Sequence, residues 1–172
     1  FCPKILKSFK KILYIDLDTV IVGNLNSVFN YDLKNYPMGA VREPIFPAKP
    51  EYHYMKKTKK RFNTGVILFN VKKWNRDNLT QKMIKLSRDK KFYKTTDQPV
   101  ANQLMYGKIK LINKKWNYLD SYELKNIKKA KIIHFNRHKP WLPDHKNRYE
   151  YLYYKYSSQP KYSFHRKTLN FK

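Results

Sequence analysis

The chain has 172 residues, enough for one domain that buries about 70% of its unfolded surface. With 41% hydrophobic and 29% charged residues its composition is globular, which excludes an intrinsically disordered chain. The formal charge of +26 invites a nucleic-acid partner, but lysine outnumbers arginine 31 to 7 and the lysines are spread along the whole chain. Base and phosphate recognition favours the forked guanidinium, so charge alone does not make this a nucleic-acid-binding protein. An anionic membrane surface is the other natural partner of such a charge.

The N-terminus, Phe1-Cys2-Pro3-Lys4, has neither an initiator methionine nor a long apolar core, and reads as a chain entered in mid-domain. The single cysteine, Cys2, excludes an internal disulfide and fits a reducing compartment. Lys11 to Ile15 reads as a buried strand ending at Asp16-Leu17-Asp18, and Thr19 to Val22 as a second apolar run. Pro37 to Val41 reads as a third strand. Residues 43–60 carry Pro44, Pro47, Pro50 and a run of lysines, which is the composition of an exposed loop.

Thr64 to Val71 is the most apolar stretch and reads as a central strand. Residues 77–91 place Leu79, Met83, Ile84 and Leu86 at helical spacing. Another helix starts at Thr96-Asp97-Gln98-Pro99, with Thr96 as its cap and Val100, Leu104 and Met105 on its buried side. Lys108 to Ile112 and Ala130 to Phe135 read as strands, and residues 145–156 as a helix with Tyr149, Leu152 and Tyr156 on one stripe. Alternating strands and helices without internal repeats give an α/β layered fold.

Asp16 and Asp18 stand two positions apart at a strand end, so their carboxylates point the same way and can share one hard cation. Taken alone the pair reads more readily as a polar turn between two strands. A second strand ends at His134, followed by Lys139-Pro140-Trp141. One imidazole and two carboxylates suit manganese and tolerate magnesium, while a nearby lysine supplies a point charge for phosphate oxygens. Phe62-Asn63-Thr64-Gly65 offers an amide beside a glycine that permits close approach, and Asp97-Gln98 puts a carboxylate and an amide side by side.

The order of these blocks resembles family 8 glycosyltransferases, which include bacterial lipooligosaccharide galactosyltransferases and glycogenin. The blocks are Leu13-Tyr14-Ile15-Asp16-Leu17-Asp18-Thr19, Arg61-Phe62-Asn63-Thr64-Gly65-Val66 running to Asn70, Thr96-Asp97-Gln98 with Asn102, and Ile132-Ile133-His134-Phe135 with Lys139-Pro140-Trp141. The resemblance implies a GT-A-type fold with a mixed, mostly parallel sheet flanked by helices, binding a UDP-hexose with Mn2+. It implies that Asp16, Asp18 and His134 hold the metal and that Lys139 contacts the diphosphate. By the same resemblance Asn63, Thr64, Gly65 and Trp141 line the substrate, and Asp97 and Gln98 serve the reacting carbon in a transfer that retains anomeric configuration, by front-face attack or double displacement.

Two departures stand out. Arg137 takes the place of the family's usual glycine after the histidine, and Lys139 comes one position early. Family members also carry a βαβ segment that holds the uridine ahead of the Asp-x-Asp strand, so the chain reads as N-terminally truncated, with weak or no activity by itself. Residues 1–142 then form the metal, sugar and acceptor portion, and 143–172 a basic tail rich in Tyr and Phe. That tail suits a membrane interface or a helix folded back on the domain. The implied acceptor is a saccharide or lipid-linked saccharide in surface-glycan synthesis, the implied location cytoplasmic or peripheral at the inner membrane face. The alternatives are a non-catalytic remnant and a basic nucleic-acid-binding protein.

Overall fold

The computed structural model describes residues 2–43, 61–89, 97–119, 124–137, 139–142 and 149–157. A short helix α1 (Cys2–Ile5) leads into strand β1 (Lys11–Ile15), which runs through the Asp-x-Asp turn into β2 (Thr19–Ile21). Strand β3 (Met38–Arg42) and the long β4 (Phe62–Asn70) follow. Three helices come next: α2 (Val71–Arg76), α3 (Leu79–Ser87) and α4 (Asp97–Met105). Strands β5 (Lys110–Ile112), β6 (Tyr118–Leu119) and β7 (Ile132–His134) and helix α5 (Glu150–Ser157) complete the elements used below.

The strands form two sheets, ordered β1-β4-β3-β5 and β2-β7-β6. Both are mixed: β1–β4, β3–β4 and β2–β7 pair antiparallel, β3–β5 and β6–β7 parallel. The mixed character matches the sequence reading, but among the described strands antiparallel pairs outnumber parallel ones. The chain passes from one sheet to the other at Asp16-Leu17-Asp18. Two backbone bonds stitch that crossing down: Asp16 N–H donates to Gly65 O at 2.8 Å and Phe135 N–H to Asp18 O at 2.9 Å.

The first sheet packs on α2, α3 and α4 through Met38, Ile67, Phe69, Trp74, Leu79 and Met105, with Tyr14 and Met83 at the margin. Trp74 meets Phe69 edge-on at 4.9 Å between ring centres and donates its indole N–H to Thr80 Oγ1 at 2.9 Å. An aromatic pair of this kind adds about 0.5–1.5 kcal/mol to the gain from burial. The second sheet packs through Tyr118, Ile133 and Phe135 against Tyr149, Leu152 and Tyr153. Tyr149 and Leu152 of the expected stripe therefore turn inward, joined by Tyr153, while residues 145–148 lie outside the described residues; Tyr154 donates its hydroxyl to Pro140 O at 2.7 Å.

Two boundaries differ from the sequence reading. Strand β4 starts earlier and stops at Asn70, whose side chain accepts the Lys73 N–H and caps α2. The apolar run through Val71 hid that cap. Helix α2 then ends because Asn78 takes a left-handed backbone (φ 52°), which asparagine tolerates. Thr96, the expected cap of α4, and residues 44–60 of the expected loop lie outside the described residues.

Candidate active site

Strand β4 is irregular where the site is built. Ala40 pairs with Ile67 and Arg42 with Phe62, so β4 carries extra residues around Asn63-Thr64-Gly65. Such bulges re-aim side chains and gather at active sites. Helix α4 is docked there by Asn102, fully buried, which accepts Phe62 N–H at 2.9 Å and donates to Phe62 O at 2.8 Å. That clamp brings Gln98 against the bulge.

The three expected ligands meet at the sheet crossing. Asp16, Asp18 and His134 each offer a donor atom, all within 4.8 Å of one another. His134 Nε2 lies 3.2 Å from Asp18 Oδ1 and 3.9 Å from Asp16 Oδ2. Leu17 between the aspartates is fully exposed, so the two carboxylates share the opposite side of the turn. Tyr14 donates its hydroxyl to Asp16 Oδ1 at 2.6 Å. That bond, and secondarily burial, pushes the Tyr14 phenol well above its usual range, so it stays a donor.

Lys139 lies on the same carboxylate. Its ammonium contacts Asp18 Oδ2 and donates to Phe135 O at 2.6 Å. Burial alone would raise the Asp18 pKa. Hydrogen bonds and charge from His134 and Lys139 together outweigh it and hold the carboxyl well below the usual range. The folded value is thus depressed relative to the unfolded one, so this group stabilises the fold above about pH 4 and loses that contribution as pH falls further. Thermal melts between about pH 6 and about pH 2.5 should show a shallower acid decline for Asp18→Asn than for the native chain. Equal slopes would show that Asp18 is not held by its two partners.

A chain of amides surrounds the cluster. Asn63 Oδ1 accepts Gly65 N–H at 2.9 Å and Asn117 Nδ2 at 2.7 Å. Asn63 Nδ2 donates to Gln98 Oε1 at 3.0 Å, which also accepts Thr64 N–H at 3.0 Å. Gln98 Nε2 in turn donates to Glu43 Oε1 at 3.1 Å, and Glu43 is ion-paired with Arg61 at 2.9 Å with both side chains buried. A buried ion pair is costly to desolvate, so its hydrogen bonds to neighbours matter to its balance. Asp97 opens α4 on the surface of the site. Partial desolvation, then the charge of Asp16, raises its carboxyl above the usual range, against the lowering effect of backbone N–H groups at the helix start.

The structure therefore gathers Asp16, Asp18, His134, Lys139, Asn63, Thr64, Gly65 and Gln98, with Asp97 beside them. Trp141 is half-buried and packs on Tyr153 at 5.3 Å between ring centres, which engages part of its surface with α5. Arg137 is exposed. Sequence reasoning assigned no role to Asn117, Glu43 or Arg61. Only the neighbourhood of Glu43 and Arg61 in the β3–β4 ladder, where Glu43 N–H donates to Arg61 O at 3.0 Å, makes their pairing visible.

Comparison with known proteins fits this geometry. A putative glycosyltransferase of Haemophilus influenzae is 34% identical over 121 residues, covering 67% of this chain and 36% of that protein. The apo-form glycosyltransferase GlyE of Streptococcus pneumoniae superposes with a TM-score of 0.72 at 22% identity, over 98% of this chain and 45% of that one. The galactosyltransferase LgtC, solved with donor and acceptor sugar analogs, superposes with a TM-score of 0.70 at 19% identity, over 91% of this chain and 64% of that one. The chain thus spans between 36% and 64% of the length of these three proteins, and it shares their GT-A-type fold. The model of the glycosyl transferase family 8 matches residues 1–145, so this chain belongs to that family.

Proposed function

We propose that residues 1–142 form the metal-, sugar- and acceptor-binding portion of a retaining hexosyltransferase that uses a UDP-hexose. The observation that carries this reading is the meeting of Asp16, Asp18 and His134, drawn from the ends of β1 and β7, beside the Asp97-Gln98 helix start. Their donor set of two carboxylates and one imidazole fits Mn2+ and tolerates Mg2+. The fit is supported by the contacts of Asp18, whose two oxygens face His134 Nε2 and the Lys139 ammonium. A divalent ion held there would supply Lewis-acid stabilisation of a departing diphosphate.

The remaining work belongs to the chain's own groups. Lys139 sits where its ammonium can pass from Asp18 to a phosphate oxygen, adding a point charge at the leaving group. Gln98 is held by three protein donors on its oxygen, so it presents a fixed rather than a mobile amide to the sugar. Asp97, with its raised pKa, stands beside it and is read as the carboxylate that serves the reacting carbon. The front-face and double-displacement routes both use this pair.

The acceptor is read as a saccharide or lipid-linked saccharide of a surface glycan. Attachment to an anionic membrane surface, on the cytoplasmic side, would draw on the chain's charge and on Tyr151 and Tyr154, which α5 leaves exposed. Among the described residues no helix is long and apolar enough to cross a membrane.

Calorimetry of the full chain with UDP-galactose and UDP-glucose, with and without Mn2+, tests the reading. Heat that appears only when metal and nucleotide-sugar are both present is the expected result. Nucleotide-sugar binding indifferent to metal would remove the ligand assignment, and salt-steep binding to DNA or RNA would favour the nucleic-acid alternative.

A further inference from the structure

Two backbone donors fix the polarity of every amide around the site. Gly65 N–H donates to Asn63 Oδ1 at 2.9 Å. A backbone N–H cannot accept, so the chain itself decides which end of Asn63 is oxygen. Asn117 donates from Nδ2 to that same oxygen at 2.7 Å, which turns its Oδ1 towards His134. There Oδ1 lies 2.9 Å from His134 Nδ1. A carbonyl oxygen only accepts, so Nδ1 carries a proton and Nε2 is left as the nitrogen that a metal can take. Nε2 is the nitrogen that faces Asp16 and Asp18.

The same logic runs the other way. Thr64 N–H fixes Gln98 Oε1, and Asn63 Nδ2 donates to it as well. Asn117 and His134 are 0% and 3% exposed, so neither has bulk water as an alternative partner. Leaving either unpaired would carry the desolvation penalty of a buried polar group without its partner.

We propose that Asn117 is a positioning residue that sets the tautomer of His134 and, through Asn63, ties the ligand nitrogen to the amide of Gln98. Its purpose rests on the glycosyl-transfer reading, but its test does not. Outer partners of ligating histidines commonly act in this way, and their loss lowers metal affinity by about 10–100-fold.

The experiment is two-bond proton–nitrogen correlation on the full chain labelled with 15N-histidine, with His134 assigned by comparison with His134→Gln. The spectrum reports directly which ring nitrogen of His134 carries a proton. The expected native result is the Nδ1–H form. In Asn117→Ala, His134 should lose the Nδ1 proton in favour of Nε2–H facing Asp18, and Mn2+ affinity should fall by about 10–100-fold. Asn117→Asp keeps an acceptor for Nδ1–H while setting a carboxylate oxygen against Asn63 Oδ1. It should keep the tautomer, and it decides the matter if the alanine variant does not fold.

An Nδ1 without its proton in the native chain, or in Asn117→Asp, would overturn the proposal, as would an unchanged His134 spectrum in folded Asn117→Ala. A native chain with the Nδ1–H form that takes up no Mn2+ would instead overturn the glycosyl-transfer reading and leave the tautomer assignment supported.

Discussion

Replacing Asp18 by alanine should abolish metal-dependent binding of a UDP-hexose while leaving a folded chain. Asp18 spends one oxygen on His134 Nε2 at 3.2 Å and the other on Lys139. Its removal takes away a ligand and also leaves an ammonium and an imidazole facing the same space without their shared anion. An outer-partner loss costs about 10–100-fold in metal affinity, and a direct ligand should cost at least as much as the upper end of that range. Lys139 keeps Phe135 O as a partner, which limits the structural damage. Asp77→Ala is the matched control. It removes the same charge, from a carboxylate salt-bridged to Lys73 at 2.5 Å on α2, and should leave binding unchanged. If both variants lost binding equally, net charge rather than ligation would explain the effect.

Gly65→Ala should disable the site by a steric route. A Cβ at this position would stand 2.0 Å from His134 Cε1, 2.4 Å from Nδ1 and 3.0 Å from Asn63 Oδ1. Neither neighbour can retreat, because His134 and Asn63 are 3% and 5% exposed and both are hydrogen-bonded. The strand cannot shift freely either, since Gly65 O accepts Asp16 N–H and Gly65 N–H is bonded to Asn63. Overpacking of this kind costs about 1–3 kcal/mol, sometimes more, and here the strain falls on the ligand ring. The urea midpoint should drop, and Mn2+ binding should weaken more than the stability loss alone would cause. Gly23→Ala provides the contrast, because its Cβ would meet only the side chain of Lys131, which can swing into solvent. A folded Gly65→Ala chain that binds Mn2+ like the native one would show that His134 is not pressed against β4.

Much of this site could be read in the sequence because its parts sit at ends of apolar runs. Asp16 and Asp18 follow β1, and His134 is the last residue of β7, so strand ends pointed at them directly. The glycine of Asn63-Thr64-Gly65 was legible as a point of close approach, although what approaches it, the His134 ring, was not. Asn117 carried no signal. It sits alone between Trp116 and Tyr118 outside any periodic segment, and its meaning arises from two contacts with residues far away in the chain. Glu43 was read as the first residue of a polar loop, whereas the β3–β4 register places it opposite Arg61 in the interior.

The division into two sheets was equally hidden. Both strands flanking Asp16-Leu17-Asp18 look alike as apolar runs, and only their partners, β4 for β1 and β7 for β2, separate them. Local pattern specifies that a strand exists. Pairing is a long-range choice that loop closure and core shape decide.

Strand β1 closes its sheet on one side, with β4 as its sole described partner and every one of its residues half-buried. Ile5 and Phe9, which precede it in the chain, are 74% and 58% exposed. An open strand beside apolar surface is a template for another strand, and proteins commonly guard such edges with lysine. Lys7 and Lys10 are exposed just ahead of this strand, within a chain whose formal charge is +26. That protection is electrostatic, and a Debye length of about 10 Å at 0.1 M salt shrinks to about 3 Å at 1 M. Among the described residues this edge is open, so concentrated salt should weaken the repulsion between copies there, and light scattering should rise with ionic strength.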